Sequence, residues 1–311
     1  MPVPMRFAYL GPAGTFAEAA LRSLPAAAGG VLLPQPSVPA ALDAIRAGEA
    51  DAAVVPLENS VEGSVASTLD EMAAGVPLVI AAEVFLPVSF ALLVRDDTPF
   101  DAVKTVATHP HAEAQCRRWL RERLPDAEVV LVGSTSAGAA AVAAGEHDAA
   151  VSAPIAAATY GLTALATDLA DNPGAVTRFV MLTRPGPPPE RTGQDRTTLV
   201  AYIRENHTGA LLEVLTEFAV RGINLTRIES RPTKERLGQY CFSLDCEGHV
   251  ADARVGDALA ALHRICADVR YLGSYRRADD RPAEVIRHGA TDEDFADAAA
   301  WLDRVRADGI S

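Results

Sequence analysis

The spacing of apolar and polar positions divides the first 184 residues into short apolar runs, most of them followed by amphipathic stretches. Apolar runs bounded by glycine, proline or polar residues are typical of buried strands. The strands that this pattern predicts are 7–10, 51–56, 105–107, 128–132 and 180–182. Because strands alternate with helices, the pattern predicts an α/β fold with a mostly parallel sheet.

A second pattern follows residues 185–195, where three consecutive prolines at 187–189 predict a linker. Beyond the linker, apolar spacing predicts strands at 198–203, 223–229, 239–245 and 269–275, and helices at 209–220 and 255–266. The resulting order, βαββαβ, is typical of a ferredoxin-like domain, here at residues 196–276. Residues 277–311 are predicted to be a C-terminal tail with a short helix at 292–307.

The formal charge of −13 argues against a nucleic-acid partner, because phosphates would be repelled and no basic stripe offsets this charge. No apolar run reaches the roughly 18 residues needed to span a bilayer, and residues 1–6 lack the apolar core of a signal peptide. The four cysteines have neither metal nor redox spacing. We therefore expect a cytoplasmic protein with reduced thiols and no membrane partner.

Polar residues gather where predicted strands end. Residues 11–16, Gly-Pro-Ala-Gly-Thr-Phe, form a glycine turn between a strand and a helix, which suits an anion, although many such turns bind nothing. Glu58, Asn59 and Ser60 follow the strand 51–56, and helix capping accounts for one or two of them but not for all. In open α/β sheets, ligands bind at this edge of the strands.

Two further polar groups follow the strands 105–107 and 128–132. The first contains Thr108, His109 and His111 and continues into a helix that carries Gln115, and the second is Ser-Thr-Ser at 134–136. His109 and His111 have no third ligand at ordinary spacing, so capping or surface histidines are favoured over a metal site.

Thr177, Arg178 and Phe179 come directly before the strand 180–182 and begin five residues after Asn172. A hydroxyl that can pass a proton, beside a permanently charged guanidinium, suits a small anionic substrate that loses hydroxide. A Thr-Arg pair by itself is more often an exposed strand edge, so this interpretation depends on the other polar groups.

Together these motifs resemble those of the prephenate dehydratases. The resemblance covers residues 5 to about 275 and includes the segments 11–16, 55–60, 109–116, 134–136 and 172–179. One segment departs from the family, which commonly has Ser-His-Pro-Gln where this chain has Thr-His-Pro-His at 108–111. The resemblance implies a two-lobed catalytic domain like periplasmic binding proteins at 5–184, with lobes at about 5–82 plus 178–184 and at 84–175.

The activity that the resemblance implies is a carbon–oxygen lyase reaction. Prephenate would lose carbon dioxide and water to give phenylpyruvate in phenylalanine biosynthesis, with no cofactor. Thr177 would contact the departing hydroxyl, with Arg178 and Phe179 beside it, and the implied substrate-binding residues are Glu58, Asn59, Ser60, Thr108 and Gln115. Whether Arg178 pairs with a substrate carboxylate or only braces Glu58 stays open.

The C-terminal motifs resemble those of the regulatory ACT domain. The residues that carry this resemblance are Asn206, Gly209, Ala210, Leu211, Glu229, Ser230, Arg231 and Pro232. They imply a phenylalanine site at a dimer interface, feedback inhibition, and a homodimer or homotetramer. A helix that starts at a glycine exposes amides to a carboxylate, which agrees with this role. The alternative is a plain dimerisation domain in which Glu229 and Arg231 form only a surface ion pair.

Two other functions stay open at this stage. An arogenate dehydratase would need a carboxylate for the ammonium of its substrate, and Glu58 and Glu113 are candidates. A two-lobed sensor would bind aromatic acids without turnover. Because the first strand begins by residue 7, we expect a monofunctional enzyme without a chorismate mutase domain ahead of it.

Overall fold

The structure is a computed structural model and describes residues 3–96, 98–234, 239–279, 281–282 and 285–309. The chain divides into two units, one formed by Met1–Thr68 with Val84–Leu182 and the other by Leu69–Glu83 with Thr183–Ser311. We describe each unit by itself.

Strands and helices alternate up to residue 87, as the sequence pattern predicts. The elements of this part are β1 (Arg6–Leu10), α1 (Phe16–Ser23), β2 (Val31–Gln35), α2 (Val38–Arg46), β3 (Ala52–Asn59), β4 (Gly63–Ser64), α3 (Ala66–Ala73) and β5 (Val79–Pro87). The helices α1 and α2 are capped by Thr15 and Ser37, whose hydroxyls accept a backbone N–H of the first turn. Such N-caps end the preceding loop and orient each helix start.

Strands and helices also alternate between residues 105 and 166, whereas strands follow one another on either side of this range. The elements of this part are β6 (Ala91–Val94), β7 (Thr105–Thr108), α4 (Pro110–Arg123), β8 (Glu128–Leu131), α5 (Thr135–Ala143), β9 (Ala149–Ser152), α6 (Ile155–Tyr160), β10 (Thr163–Ala166) and β11 (Val176–Thr183). Apolar residues of β6, β7 and β9 pack against one face of α4 to form a core that includes Leu92, Val106, Cys116, Leu120 and Val151.

Two sheets organise these elements. The first has the order β2-β1-β3-β11-β5, with β4 paired to β3, and β1 is parallel to both of its neighbours. The second has the order β10-β6-β9-β7-β8, in which β7 is parallel to β8 and β9, and β6 is antiparallel to β9 and β10. The predicted α/β class is therefore confirmed, with antiparallel strands at one side of the second sheet. Because β11 returns to the first sheet beside β3, residues far apart in sequence become neighbours.

Three predicted strands are too short at their polar ends. The strand predicted at 51–56 extends through Asn59, the one at 180–182 begins at Val176, and the one at 223–229 ends at Pro232. Glu58 and Asn59 are therefore the last residues of β3 instead of following it. Backbone pairing explains the first extension, because Glu58 and Asn59 lie opposite Ser64 and Gly63 of β4. Hydrogen bonding between strands includes polar residues that an apolar pattern leaves out.

The C-terminal part has the βαββαβ order that the sequence predicts. Its elements are β12 (Asp195–Tyr202), α7 (Ala210–Ala219), β13 (Leu225–Pro232), β14 (Tyr240–Glu247), α8 (Ala253–Ile265) and β15 (Asp268–Arg276). The sheet order is β13-β14-β12-β15, and every pair is antiparallel. Leu199, Phe218, Phe242, Leu244 and Leu262 contribute to the core between this sheet and the two helices.

The helix predicted at 292–307 is confirmed as α9 (Asp292–Asp308), which begins with a capping box between Thr291 and Asp294. Asp292 accepts a hydrogen bond from the backbone N–H of Ala253 and pairs with Arg191. These contacts attach the last helix to α8 and to the segment before β12. The start of the last helix is thus held against other parts of the second unit.

All four cysteines are free and buried. Burial raises the pKa of the Cys116 and Cys246 thiols to about 12, so both stay protonated at neutral pH. Within the described residues, no group of three or more histidine, cysteine, aspartate or glutamate side chains is placed to hold a metal ion. None of the helices in the described ranges combines the length and apolar composition needed to cross a membrane.

Candidate active site

A cavity of about 620 Å³ lies in the unit formed by Met1–Thr68 and Val84–Leu182. Small-molecule sites typically enclose about 300–1,000 Å³, so the volume suits a ligand of ordinary metabolite size. The walls come chiefly from segments of the chain within 10–17, 56–65, 88–90, 109–115, 133–135 and 177–179. The strand ends and helix beginnings that carry the predicted motifs thus meet around one space.

Four helices begin at this cavity. The lining residues at their first turns or just before them are Thr15 and Phe16 for α1, Ser64 and Val65 for α3, His109 and His111 for α4, and Ser134 and Thr135 for α5. The first amides of a helix lack partners within it, and the helix dipole places partial positive charge there. Among the described residues that line the cavity there is no arginine or lysine. An anion in the cavity would therefore meet the partial positive charge of these helix starts.

Thr177 and Asn59 are hydrogen-bonded to each other at the cavity wall. The Oδ1 atom of Asn59 accepts the backbone N–H groups of Val61 at 2.8 Å and Glu62 at 3.1 Å. This arrangement fixes the side-chain amide, so that Nδ2 donates to Thr177 Oγ1 at 2.7 Å. The threonine oxygen acts as an acceptor in this bond, which leaves its own O–H to donate to a ligand. Thr177 is buried, with 7% of its surface exposed.

Arg178 lies on the opposite face of β11 from Thr177 and Phe179. Thr177 and Phe179 line the cavity, whereas Arg178 does not, because successive side chains of a strand point to opposite faces. Arg178 is buried, with 4% of its surface exposed. The structure thus brings two of the three predicted catalytic residues to the cavity and directs the guanidinium elsewhere.

Three predicted substrate-binding residues are not part of the cavity wall. Thr108 is fully buried, and its hydroxyl donates to the carbonyl oxygen of Val151 at 2.9 Å. Ser60 holds the start of β11, because its Oγ accepts the N–H of Val176 at 2.9 Å and its own N–H donates to the Val176 carbonyl. Glu58 is half-buried on β3. Ser60 therefore positions the strand that carries Thr177 and does not line the wall itself.

Glu62 is a cavity residue that the sequence motifs did not identify. Its Oε1 accepts a hydrogen bond from Gln115 Nε2 at 3.0 Å, and its Oε2 lies 2.7 Å from His111 Nδ1. Gln115 and His111 line the cavity as well, so the structure places the predicted Gln115 at the site. Glu62 belongs to a turn whose sequence gives no sign of the helix it contacts, since α4 lies about fifty residues later in the chain.

His109 is the N-cap of α4, as the capping interpretation predicts. Its Nδ1 accepts the backbone N–H of His111 at 3.3 Å. Burial lowers the pKa of His109 below its ordinary value, and the charge of His111 adds to this effect while Glu62 opposes it. The imidazole is thus neutral at neutral pH with its proton on Nε2, and the ring lines the cavity.

The lowered pKa of His109 predicts a measurable pH effect. Because the unfolded chain binds the proton more tightly, the stability from neutral His109 is present above about pH 6.5 and is lost as the pH falls through the folded-state pKa. In a histidine NMR titration, we expect the His109 midpoint below about 6.5. His111→Gln should raise the midpoint, because it removes the neighbouring charge while burial remains. The variant His109→Asn keeps a capping oxygen and identifies which resonance belongs to His109. An unchanged midpoint in His111→Gln would contradict the effect assigned to the charge of His111.

The glycine turn at 11–16 supplies only part of the predicted anion cradle. Gly11, Thr15 and Phe16 line the cavity, but the N–H of Gly14 donates to the buried carboxylate of Glu18 at 2.7 Å. Gly14 has φ of +82°, which a residue with a side chain rarely adopts. Its neighbour Ala13 accepts hydrogen bonds at its carbonyl from the hydroxyls of Ser136 and Tyr160, so this turn is held against the second sheet's helices.

A smaller cavity, of about 250 Å³, lies in the C-terminal unit. Of the residues predicted to bind an effector, those that line it are Asn206, Gly209, Ala210, Leu211 and Ser230. Gly209 is the N-cap of α7 with φ of +97°. Phe242 also lines this cavity and was missed by the sequence motifs, although it lies opposite Ser230 in the register of β13 and β14.

The other three predicted effector residues are not in the wall of this cavity. Glu229 and Arg231 flank Ser230 on β13, so alternation turns them to the opposite face. Arg231 forms a bidentate ion pair with Asp70, with Nε and Nη2 at 3.1 and 3.0 Å from Oδ1. Pro232 is exposed at the end of the strand. Arg231 therefore pairs with Asp70 in the structure. Burial would raise the pKa of Asp70, but Lys234 and Arg231 lower it below its ordinary value.

Fold and site together define a class of protein. Proteins of this class have an α/β unit of two sheets, with a cavity suited to an anion between strand ends and helix starts. The same chain has a βαββαβ unit with a small cavity of its own. A family model described as prephenate dehydratase matches residues 7–187, and one described as ACT domain matches residues 197–264. The chain belongs to the prephenate dehydratase family. The resemblance seen in the sequence and the predicted fold class are thereby confirmed.

Individual relatives agree with this family. The prephenate dehydratase of Amycolatopsis methanolica is 55% identical over 302 residues, which are 97% of this chain and 98% of that protein. The solved prephenate dehydratase from Arthrobacter aurescens, in complex with L-Phe, is 50% identical with a TM-score of 0.92 and covers 97% of this chain and 99% of its own. A solved quorum-quenching acylase is 29% identical with a TM-score of 0.79 and covers 89% of this chain and 100% of its own.

Proposed function

We propose that the protein converts prephenate to phenylpyruvate in phenylalanine biosynthesis. The observation that carries this proposal is the Asn59–Thr177 hydrogen bond at the wall of a cavity surrounded by helix N-termini. Family membership and the prephenate dehydratase relatives support it. The proposed site consists of Thr177, Asn59 and Gln115 with Phe179, and Glu62, His109 and His111 join them.

For this reaction the protein must bind prephenate, which carries two carboxylates, and supply one proton. As the ring carboxylate of prephenate leaves as carbon dioxide, its bonding electrons enter the ring. The hydroxyl on the opposite ring carbon then departs with its own bonding pair and takes up one proton to become water. Because the ring becomes aromatic, the driving force is in the substrate, and the protein supplies orientation and a proton at the departing oxygen.

Thr177 is placed to assist the departing hydroxyl. Since Asn59 Nδ2 donates to Thr177 Oγ1, the threonine O–H is directed to a further acceptor, which in this proposal is the leaving oxygen. An unperturbed threonine hydroxyl is a poor acid. Hydrogen bonding from Asn59 stabilises negative charge on Oγ1, and a linked water that restores the proton completes the transfer.

The two carboxylates of the substrate would be held by dipoles instead of side-chain cations. The first turns of α1 and α5 present backbone N–H groups, and Thr15 and Ser134 cap these helices at the cavity. The neutral His109 adds an Nε2–H donor. Arg178 is not among the residues that line the cavity, so this proposal gives it no contact with the substrate.

A product assay tests this function. Purified protein is expected to form phenylpyruvate from prephenate, detected by its absorbance in alkali, with a higher kcat/KM than for arogenate. Arogenate would require a carboxylate for its ammonium, and Glu62, the acidic residue among the described ones that line the cavity, already contacts His111 and Gln115. Binding of prephenate without product would favour the sensor. Because a quorum-quenching acylase shares the fold, acylase activity is measured in parallel, and its presence without phenylpyruvate formation would refute the proposal.

We also infer that phenylalanine binds the 250 Å³ cavity of the C-terminal unit and inhibits turnover. Asn206 and the start of α7 at Gly209 would hold its amino acid group, and Leu211 and Phe242 would contact its ring. The ACT match and the L-Phe complex of the Arthrobacter relative support this role. A homodimer or homotetramer and a cytoplasmic location remain predictions from the sequence.

A further inference from the structure

The carboxylate of Glu62 holds two residues of α4 at once. Its Oε1 accepts from Gln115 Nε2 at 3.0 Å, and its Oε2 lies 2.7 Å from His111 Nδ1. His111 and Gln115 are four residues apart, so they lie on the same side of the helix, one turn from each other. The Glu62 side chain is 32% exposed, which places these contacts at the edge of the cavity and not deep inside it.

The backbone of Glu62 is tied to the other side of the site. Its N–H donates to Asn59 Oδ1 at 3.1 Å, and Asn59 in turn donates to Thr177 Oγ1 at 2.7 Å. One residue therefore connects the amide that orients Thr177 with the amide of Gln115. The connection joins the turn after β3, in the first sheet, to α4, which packs on the second sheet.

We propose that Glu62 is a positioning residue for prephenate turnover, which holds Gln115 in the orientation that contacts substrate. This inference rests on the proposed function. With one amide hydrogen of Gln115 bonded to Glu62, the carbonyl oxygen and the other hydrogen are presented in a single orientation. Without the carboxylate, Gln115 regains side-chain rotations that binding must then restrict.

His111 makes the second contact with this carboxylate. Its imidazole takes the second carboxylate oxygen of Glu62, with Nδ1 2.7 Å from Oε2. The other rings and charges that face it are His109, whose ring centroid is 4.9 Å away, and Glu62 itself. Because His111 occupies Oε2, Glu62 is held in the rotamer that accepts from Gln115 at Oε1.

Steady-state kinetics of three variants test the inference. Glu62→Ala is expected to raise KM for prephenate by roughly 5–20-fold, the range for a partly exposed charge-assisted hydrogen bond, with a smaller fall in kcat. Glu62→Gln keeps an oxygen that accepts from Gln115 and places an amide group beside His111, so it should recover most of the loss. Glu122→Ala, which removes an exposed carboxylate from the same helix α4, is the matched control and should match the unmodified protein.

A double-mutant cycle separates positioning from a merely structural role. If Glu62 acts through Gln115, Gln115→Ala already removes the benefit, and adding Glu62→Ala should change KM by less than about 2-fold. A structural role of Glu62 would instead give additive losses and a lower Tm. The same cycle between Glu62 and Ser134, whose hydroxyl caps α5 by accepting the N–H of Ala137, should be additive.

Each outcome decides between the inferences. If the unmodified protein makes no phenylpyruvate, the proposed function fails before Glu62 is tested. If it turns over and Glu62→Ala, with an unchanged Tm, keeps KM within about 2-fold, or if the cycle with Gln115 is additive, only the positioning role is overturned.

Discussion

Thr177→Ala is expected to lower kcat for prephenate by about 10²–10⁴-fold, the range for loss of a positioned proton donor. The substitution removes the hydroxyl whose oxygen accepts a hydrogen bond from Asn59 Nδ2 at 2.7 Å. Only the Cβ methyl group of alanine remains at this place in the cavity wall. Because the lost interaction forms mainly with the departing oxygen, KM should change much less than kcat. Initial rates of phenylpyruvate formation over a range of prephenate concentrations measure both constants.

Two companions make the Thr177 result specific. Thr177→Ser keeps the hydroxyl and should retain much more of the activity, with a deficit from the lost methyl contact and the freer rotation of serine. Lys104→Ala changes an exposed residue outside the cavity wall and should be unaffected. A folded Thr177→Ala protein that turns over at the native rate would show that the leaving hydroxyl is assisted elsewhere.

Gly209→Ala is expected to weaken phenylalanine inhibition about tenfold or more while prephenate turnover without phenylalanine stays near its native rate. Gly209 has φ of +97°, and a side chain there costs on the order of 1–2 kcal/mol. An added Cβ would meet no atom within 4 Å, so strain, not a clash, is the expected cause. Relief of that strain moves the start of α7 and the amides that would hold the effector carboxylate. Inhibition curves and calorimetric titration with phenylalanine measure the change.

Gly48→Ala is the matched control for this prediction. Gly48 also has a positive φ, +75°, with no atom within 4 Å of an added Cβ, and it follows α2 in the other unit. It should carry a similar strain and leave inhibition unchanged. If Gly209→Ala binds phenylalanine with native affinity and is inhibited normally, the effector does not use the start of α7.

The cavity shows how an acidic chain can bind an acidic substrate. The net charge is −13, yet the cavity walls, within the described residues, have Glu62 as their carboxylate, and its two contacts with His111 and Gln115 occupy it. Distant surface charges are screened beyond about 8 Å at physiological ionic strength, whereas helix starts act at contact distance. The helix starts therefore act on a ligand in the cavity at closer range than the surface charges do.

The order of strands and helices could be predicted from the sequence because it depends on local spacing. The βαββαβ order and the helix at 292–307 follow from apolar periodicity, and both are found in the structure. Strand ends were predicted less well where polar residues pair with a neighbouring strand, as in β3, because such pairing depends on a partner that local sequence does not show.

For the site, local sequence identified the segments but not the direction of each side chain. The residues 177–179 were predicted together, yet the strand they belong to turns Arg178 away from Thr177 and Phe179. Thr108 was predicted from its hydroxyl, and the structure shows that hydroxyl bonded to a backbone carbonyl in the core. The face to which a side chain points and the extent of its burial depend on how the strand is placed in its sheet. A sequence motif does not specify that placement.

The sequence by itself determined the family, which segments are helices and which are strands, and which segments carry polar side chains. These are properties of residues that are close together in the chain. Tertiary structure alone decided that Asn59 orients Thr177 across 118 positions of sequence and that Glu62 joins Gln115 across 53. The physical reason is that a hydrogen bond acts over about 3 Å in space with no dependence on separation along the chain. Only the return of β11 beside β3 and the packing of α4 near the turn after β3 bring these atoms within that distance.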